Sequence, residues 1–197
     1  MVLTKACQQM VDWQRVGSAP PRMGVNVSAR QFYQRDFVGM LQRVLSTTGL
    51  APIRLELEIT ETVAMQTSQR ALGMLRELRE MGIAVAVDDF GPGQSSLSYL
   101  KRFPVDAVKI DKSFVSDILS GDNDEWIITA ILMLANHLGL RTIAEGVETE
   151  DQAVFLAGHD CRDIQGYLVS TPVDADTFAQ RFLMRRESER QPRAAML

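Results

Sequence analysis

Six short runs rich in β-branched residues each close on a side chain that can hold a metal ion or move a proton. Residues 23–27 close around Asn26, 53–59 around Glu58, and 83–87 on the pair Asp88 and Asp89. The run 107–110 carries Lys109 and is followed by Asp111. Residues 142–144 run into Glu145, and a short stretch around Ile164 into Gln165. An ionisable group at the end of a buried strand is costly unless it is paired or ligates a cation. Any one of these residues reads equally well as a satisfied polar group in the core. Six in succession, mostly acids, call for a shared purpose. Amide and carboxylate oxygens are hard donors, suited to Mg²⁺ or Mn²⁺ rather than to zinc. A lone lysine among them suits a phosphate or a metal-bound hydroxide. The residue types alone point to a divalent-metal site acting on a phosphorylated ligand.

Intervals of about 20 to 36 residues separate these positions, so the fold must bring them together. Each interval has room for one strand and one helix. Helical periodicity places Phe37, Met40, Leu41, Val44 and Leu45 on one stripe, and Ala71, Leu72, Leu75 and Leu78 on another. A third stripe reads Trp126, Ile127, Ala130, Ile131, Leu134 and Leu138. Near the amino end Leu3, Ala6, Cys7 and Met10 form a shorter one. Thr149 with Gln152 three residues on has the pattern of a capping box. Gly49, Gly82, Gly139 and Gly158 follow the helical stretches, where a left-handed residue closes a helix. Helix, glycine and short strand in repetition describe βα units on a parallel sheet. When such a sheet curls into a barrel, all the strand ends meet on one face, where active sites of that fold lie.

The composition excludes several classes. Of 197 residues, 46% are hydrophobic and 23% charged, an ordinary globular balance. Lys and Arg number 21 against 25 Asp and Glu, a net charge of -4. That is a poor match to duplex nucleic acid. Cys7 and Cys161 lie far apart, and with His137 and His159 they offer no zinc-site or disulfide spacing. They read as reduced thiols. No apolar run approaches the ~18 residues of a membrane span, and the longest, 127–140, is interrupted by Asn136 and His137. The amino terminus lacks the basic start and apolar block of a secretory leader, so the expected location is the cytoplasm. The charged, aperiodic stretch 185–197 is expected to fray, leaving 1–184 as the folded unit.

Longer strings frame the polar strand ends. VNVSARQF at 25–32, LEITET at 57–62, VDDFGPGQSSLSYLKRFPVDAVKIDKSFV at 87–115, TIAEGVET at 142–149 and IQGYLVSTP at 164–172 follow in order. Together they resemble the EAL family, bacterial cyclic di-GMP phosphodiesterases with a TIM-like barrel. The resemblance implies hydrolysis of one phosphodiester bond of cyclic di-GMP, giving linear pGpG, with two divalent metals. It implies Asn26, Glu58, Asp88, Asp89 and Glu145 as metal ligands, Asp88 bridging both ions and Asp89 holding the second with its water. Lys109 would contact the catalytic water, and Glu145 would serve as general base. Gln165 and Asp111 would face the substrate. Glu61 would brace the loop after Asp89; its plainer reading is a solvated glutamate in a first helical turn.

Two departures qualify the resemblance. The Glu-Ala-Leu sequence that names the family supplies a metal-binding glutamate, with a phosphate-binding arginine soon after, and neither occurs here. Residues 1–16 already read as the helix ahead of the asparagine strand. A TIM barrel typically takes ~250 residues, and only six strand candidates are present. The expected fold class is therefore α/β, an incomplete TIM-like (β/α) barrel of about six strands. Pro92 and Gln94 also replace residues of a loop that, in the family, couples the metal site to dimerisation. Two functions follow: a phosphodiesterase impaired by the missing strands, or an inactive module that binds cyclic di-GMP or a protein. The open sheet edges would be covered by a homodimer or partner, or filled by the helix at 3–16, although the favoured reading packs that helix outside the sheet.

Overall fold

The computed structural model describes residues 2–65, 69–91, 103–118 and 124–184. The loop residues Pro92 and Gln94 and the tail 185–197 lie outside the described residues. Six parallel strands form a single sheet in chain order: β1 (Met23–Asn26), β2 (Leu55–Thr60), β3 (Ala84–Phe90), β4 (Ala107–Ile110), β5 (Arg141–Glu145) and β6 (Asp163–Gln165). Every neighbouring pair is parallel, which requires a crossover each time. The crossovers carry the helices, and the result is an incomplete TIM-like α/β barrel.

The central strands β2, β3 and β4 are buried almost without interruption, as their faces are covered, whereas β1, β5 and β6 are partly exposed. Alternation still decides which side chain goes where. Leu55, Leu57, Ile59, Val85, Val87, Val108 and Ile110 face the helical layer and are fully buried. Each such side chain contributes roughly 1.5–3 kcal/mol on removal from water. The other parity faces the barrel axis and is small or charged: Glu56, Glu58, Ala84, Ala86, Asp88, Ala107 and Lys109.

The outer layer consists of α1 (Val2–Arg15), α2 (Ala29–Phe32), α3 (Phe37–Thr48), α4 (Glu61–Met65), α5 (Gln69–Glu80), α6 (Lys112–Ser116), α7 (Asp124–His137), α8 (Glu150–Gly158) and α9 (Ala175–Phe178). A single π-helical turn, Ala179–Leu183, follows α9. α3 buries Phe37, Leu41, Val44 and Leu45 and ends at Gly49 in the left-handed region. The capping box at Thr149 and Gln152 is present, and Gln152 Nε2 also donates to the Val115 carbonyl at 3.1 Å. α1 packs its Leu3, Cys7 and Met10 stripe outside the sheet, against α3 and β1. It does not enter the barrel gap. Trp13 of α1 stacks on Phe178 of α9 at 5.3 Å, so the two ends of the described chain meet.

Two details depart from the sequence expectations. The second strand begins at Leu55, because Pro52–Arg54 forms a 3₁₀ turn with proline at its start. The inward stripe of α7 is Ile128, Ile131, Leu132 and Ala135, while Trp126 is 76% exposed. Apolar residues nearly all around this helix left its phase ambiguous.

Candidate active site

The carboxyl ends of the strands bring the polar residues together. Lys109, on β4, is 3% exposed, and its Nζ sits 2.7 Å from Glu58 Oε2, 2.9 Å from Asp88 Oδ1 and 2.7 Å from Glu145 Oε1. These carboxylates come from β2, β3 and β5, so one ammonium ties four strands. Burial disfavours its charge, yet its bonds to Glu145 and Glu58 and the nearby Asp88 carboxylate outweigh that and raise the lysine pKa. Lys109 is therefore a fixed cation at neutral pH.

A local irregularity sets the paired aspartates. In a regular strand, consecutive side chains point to opposite faces. Here β3 slips register against β4 between Val87 and Phe90, and Asp89 adopts a left-handed φ of 53°. Aspartate tolerates that region better than most residues. The bulge turns Asp89 so that it and Asp88 serve one site. Carboxylate oxygens of Asp88, Asp89 and Glu145 all lie within 4.8 Å of one another. Beyond the bulge, Gly91 N donates to Glu61 Oε2 at 3.1 Å, and Glu61 is buried. That bond fixes the chain where it leaves the aspartates. It replaces the solvated reading of this glutamate.

Electrostatics favour a cation here. Three carboxylates contact one buried ammonium, and a fourth, Asp89, lies beside two of them. Burial, and then Asp88 and Asp111, push the Asp89 pKa up. Burial likewise raises Glu145, against the opposing pull of Lys109. Asp88 Oδ1 is buried, and among the described residues no hydrogen-bond donor is aligned on it, although Nζ of Lys109 is close. An excess of hard oxygen donors with an under-used buried lone pair fits Mg²⁺ or Mn²⁺.

The remaining expected site residues flank this centre. Asn26 pairs in register with Glu58, and Gln165 with Glu145. Both are exposed, because β1 and β6 are the edges of the sheet. Asp111 caps α6: its Oδ1 accepts from Ser113 N at 2.8 Å and Ser113 Oγ at 2.6 Å. One feature escaped the motif reading. A second charged layer lies beneath the first, where Glu56 pairs with Arg141 and Arg22, and Arg141 with Asp163. It belongs to no recognised string; only the period-two extension of each strand below its site residue could have found it.

The half-barrel thus carries an acidic, lysine-centred cluster of hard oxygen donors at its strand ends. The EAL domain profile matches residues 1–172, and the chain belongs to the EAL domain family. It is 41% identical over 175 residues to the bifunctional diguanylate cyclase/cyclic di-GMP phosphodiesterase MucR of Pseudomonas aeruginosa, covering 89% of this chain and 26% of that protein. The chain thus spans about a quarter of that relative's length. It superposes on the PaMucR phosphodiesterase c-di-GMP complex with a TM-score of 0.85 at 41% identity, covering 90% of this chain and 72% of that one. A manganese/cy-diGMP complex of Klebsiella pneumoniae BlrP1 aligns with a TM-score of 0.73 at 31% identity, over 84% of this chain and 42% of the other.

Proposed function

We propose that the chain hydrolyses cyclic di-GMP to linear pGpG with Mg²⁺ or Mn²⁺, slowly as it stands. The observation that carries this reading is the convergence of Asp88, Asp89 and Glu145 around an under-bonded Asp88 oxygen, with Lys109 alongside, in an EAL-family chain. Asp88, Asp89, Glu145, Glu58 and Asn26 would hold two ions, which supply an activated water and offset charge on the attacked phosphodiester. Glu145, held at the Lys109 ammonium, would take the proton from the attacking water. Lys109 holds three carboxylates in place and directs its remaining positive field at the water. Glu61 fixes the backbone after Asp89. Gln165 and Asp111 orient the dinucleotide, Asp111 with its carboxylate already set by Ser113.

A second reading is a module that binds the dinucleotide, or a protein, without turnover. The exposure of Asn26 and Gln165 on opposite edges of the sheet favours it, since neither flank of the site is walled. The same open edges support a second protein surface, most simply another copy of the chain, covering β1 and β6. The reading also places the work in the cytoplasm. Among the described residues no helix is long and apolar enough to cross a membrane. Equilibrium binding of cyclic di-GMP with Ca²⁺, followed by product analysis with Mn²⁺, separates the two readings. Binding and product support the enzyme; binding with no product at any Mn²⁺ concentration supports the module.

A further inference from the structure

Beneath the acidic layer, the interior of the half-barrel holds a second set of charges. Glu56 on β2 lies two residues below Glu58, and Arg141 on β5 lies four below Glu145. By strand parity all four face the axis. The Arg141 guanidinium reaches Glu56 Oε2 through Nη2 and Asp163 Oδ2 through Nη1, the latter at 3.4 Å. Arg22, just before β1, adds a contact to Glu56 Oε2 at 3.5 Å. Glu56 is only 5% exposed. The Glu56–Arg141 pair therefore spans the inside of the sheet from β2 to β5, passing over β3 and β4. The inward residues it passes are Ala84, Ala86 and Ala107, all buried and too short to fill that space.

A chord between β2 and β5 limits how far the open sheet can flatten. A closed barrel sets its curvature by pairing its last strand to its first. Here β1 and β6 are both edges, so the described sheet has no such closure. The upper layer needs that curvature: Lys109 reaches Glu58 and Glu145 only if β2 and β5 lean toward each other. We infer that Glu56 and Arg141 are positioning residues, an ion pair on the inner face of the sheet, buried at Glu56 and 40% exposed at Arg141, that sets the curvature of the half-barrel and so the spacing of Glu58 and Glu145 above it. Groups bonded directly to a metal ligand typically matter to its affinity by about 10–100-fold; Glu56 and Arg141 act one layer further off, so their effect should be smaller. The inference rests on the metal-site reading for its consequence in binding, though not for its structural core.

The test uses the full chain, with two readouts. The first is the ¹⁵N signal of the Lys109 ammonium, which reports the upper layer without any metal. The second is Mn²⁺ affinity by calorimetry. Arg141→Met and Glu56→Ala should shift or broaden away the Lys109 signal and weaken Mn²⁺ binding measurably, by up to about tenfold. Glu56→Gln keeps an oxygen that accepts from Arg141, and should recover most of both. Leu75→Ala, a cavity in α5 on the outer layer, serves as a stability control. It should lower the melting temperature and leave the Lys109 signal in place. Folded Arg141→Met and Glu56→Ala with an unchanged Lys109 signal would overturn the inference. So would an equal disturbance by Leu75→Ala, which would show that general destabilisation is enough. If wild type binds no Mn²⁺, the metal reading fails, and the Lys109 signal still decides the positioning claim.

Discussion

Asp88 combines burial, a close ammonium and an oxygen with no aligned donor, so its carboxylate is under-used by the protein alone. An Asp88→Asn variant keeps the volume and removes the charge. It should lose measurable Mn²⁺ binding, since the carboxylate lost is one of the three that would hold a cation at this cluster. Calorimetric titration checks this, and wild-type affinity in the variant would remove Asp88 from the site. The raised carboxylates of Asp89 and Glu145 give a pH signature. Between the ordinary and raised values the folded state holds more protons than the unfolded one, so stability from these groups rises as pH falls through that window. Metal binding needs the ionised forms and runs the other way. From pH 7 downward, Mn²⁺ affinity should begin to fall above the ordinary carboxylate range, while metal-free thermal stability is maintained or gains from these two groups. Parallel melting curves and titrations would show it. Residue identities were legible in the sequence, because hard-oxygen side chains at the ends of β-branched runs are an unusual pattern. The left-handed turn at Asp89 was not, since no residue type there demands it.

Among the elements, strand positions could be read from β-branched runs, and β4 appears where expected, at Ala107–Ile110. The capping box at Thr149 was equally legible, because its hydrogen bonds are local. The face of α7 was not: a helix apolar on most sides takes its phase from what it packs against, and Ile128 rather than Trp126 meets the sheet. The lower ion-pair layer was hidden for a related reason. Glu56, Arg141 and Asp163 are ordinary surface residue types, and only strand parity turns them inward. Tight backbone approach also has to be seen in three dimensions. After β6, Gly166 lies against the Val147 backbone, and a Cβ there would collide with its N and O atoms. Val147 N donates to Gln165 O at 3.1 Å, and Leu168 N to Val147 O at 3.0 Å, so these two loops are stitched together. Gly166→Ala must separate them, which should cost roughly 1–3 kcal/mol, as overpacking does, and displace Gln165. Denaturant unfolding measures the first effect. An unchanged midpoint would mean that the loops part without penalty.

At the scale of the molecule, β1 and β6 are the edges of the sheet among the described residues, and a groove of about 530 Å³ lies beside β6, lined by Pro20, Ile164, Tyr167, Phe178 and Phe182. Unpaired edges invite association. Sedimentation at micromolar concentration should show self-association, and hydrogen exchange should show alternate β1 amides gaining protection as it proceeds. A monomer with β1 already protected would contradict the open edge. The same edges bear on rate, because Asn26 and Gln165 stand exposed on β1 and β6. The most direct measurement of the central claim is the formation of linear pGpG from cyclic di-GMP by the purified chain in Mn²⁺, with Asp88→Asn and a chelator as controls. The account predicts slow, Mn²⁺-dependent product from wild type, and none from either control. No product from folded, Mn²⁺-loaded wild type, or equal product from Asp88→Asn, would contradict it.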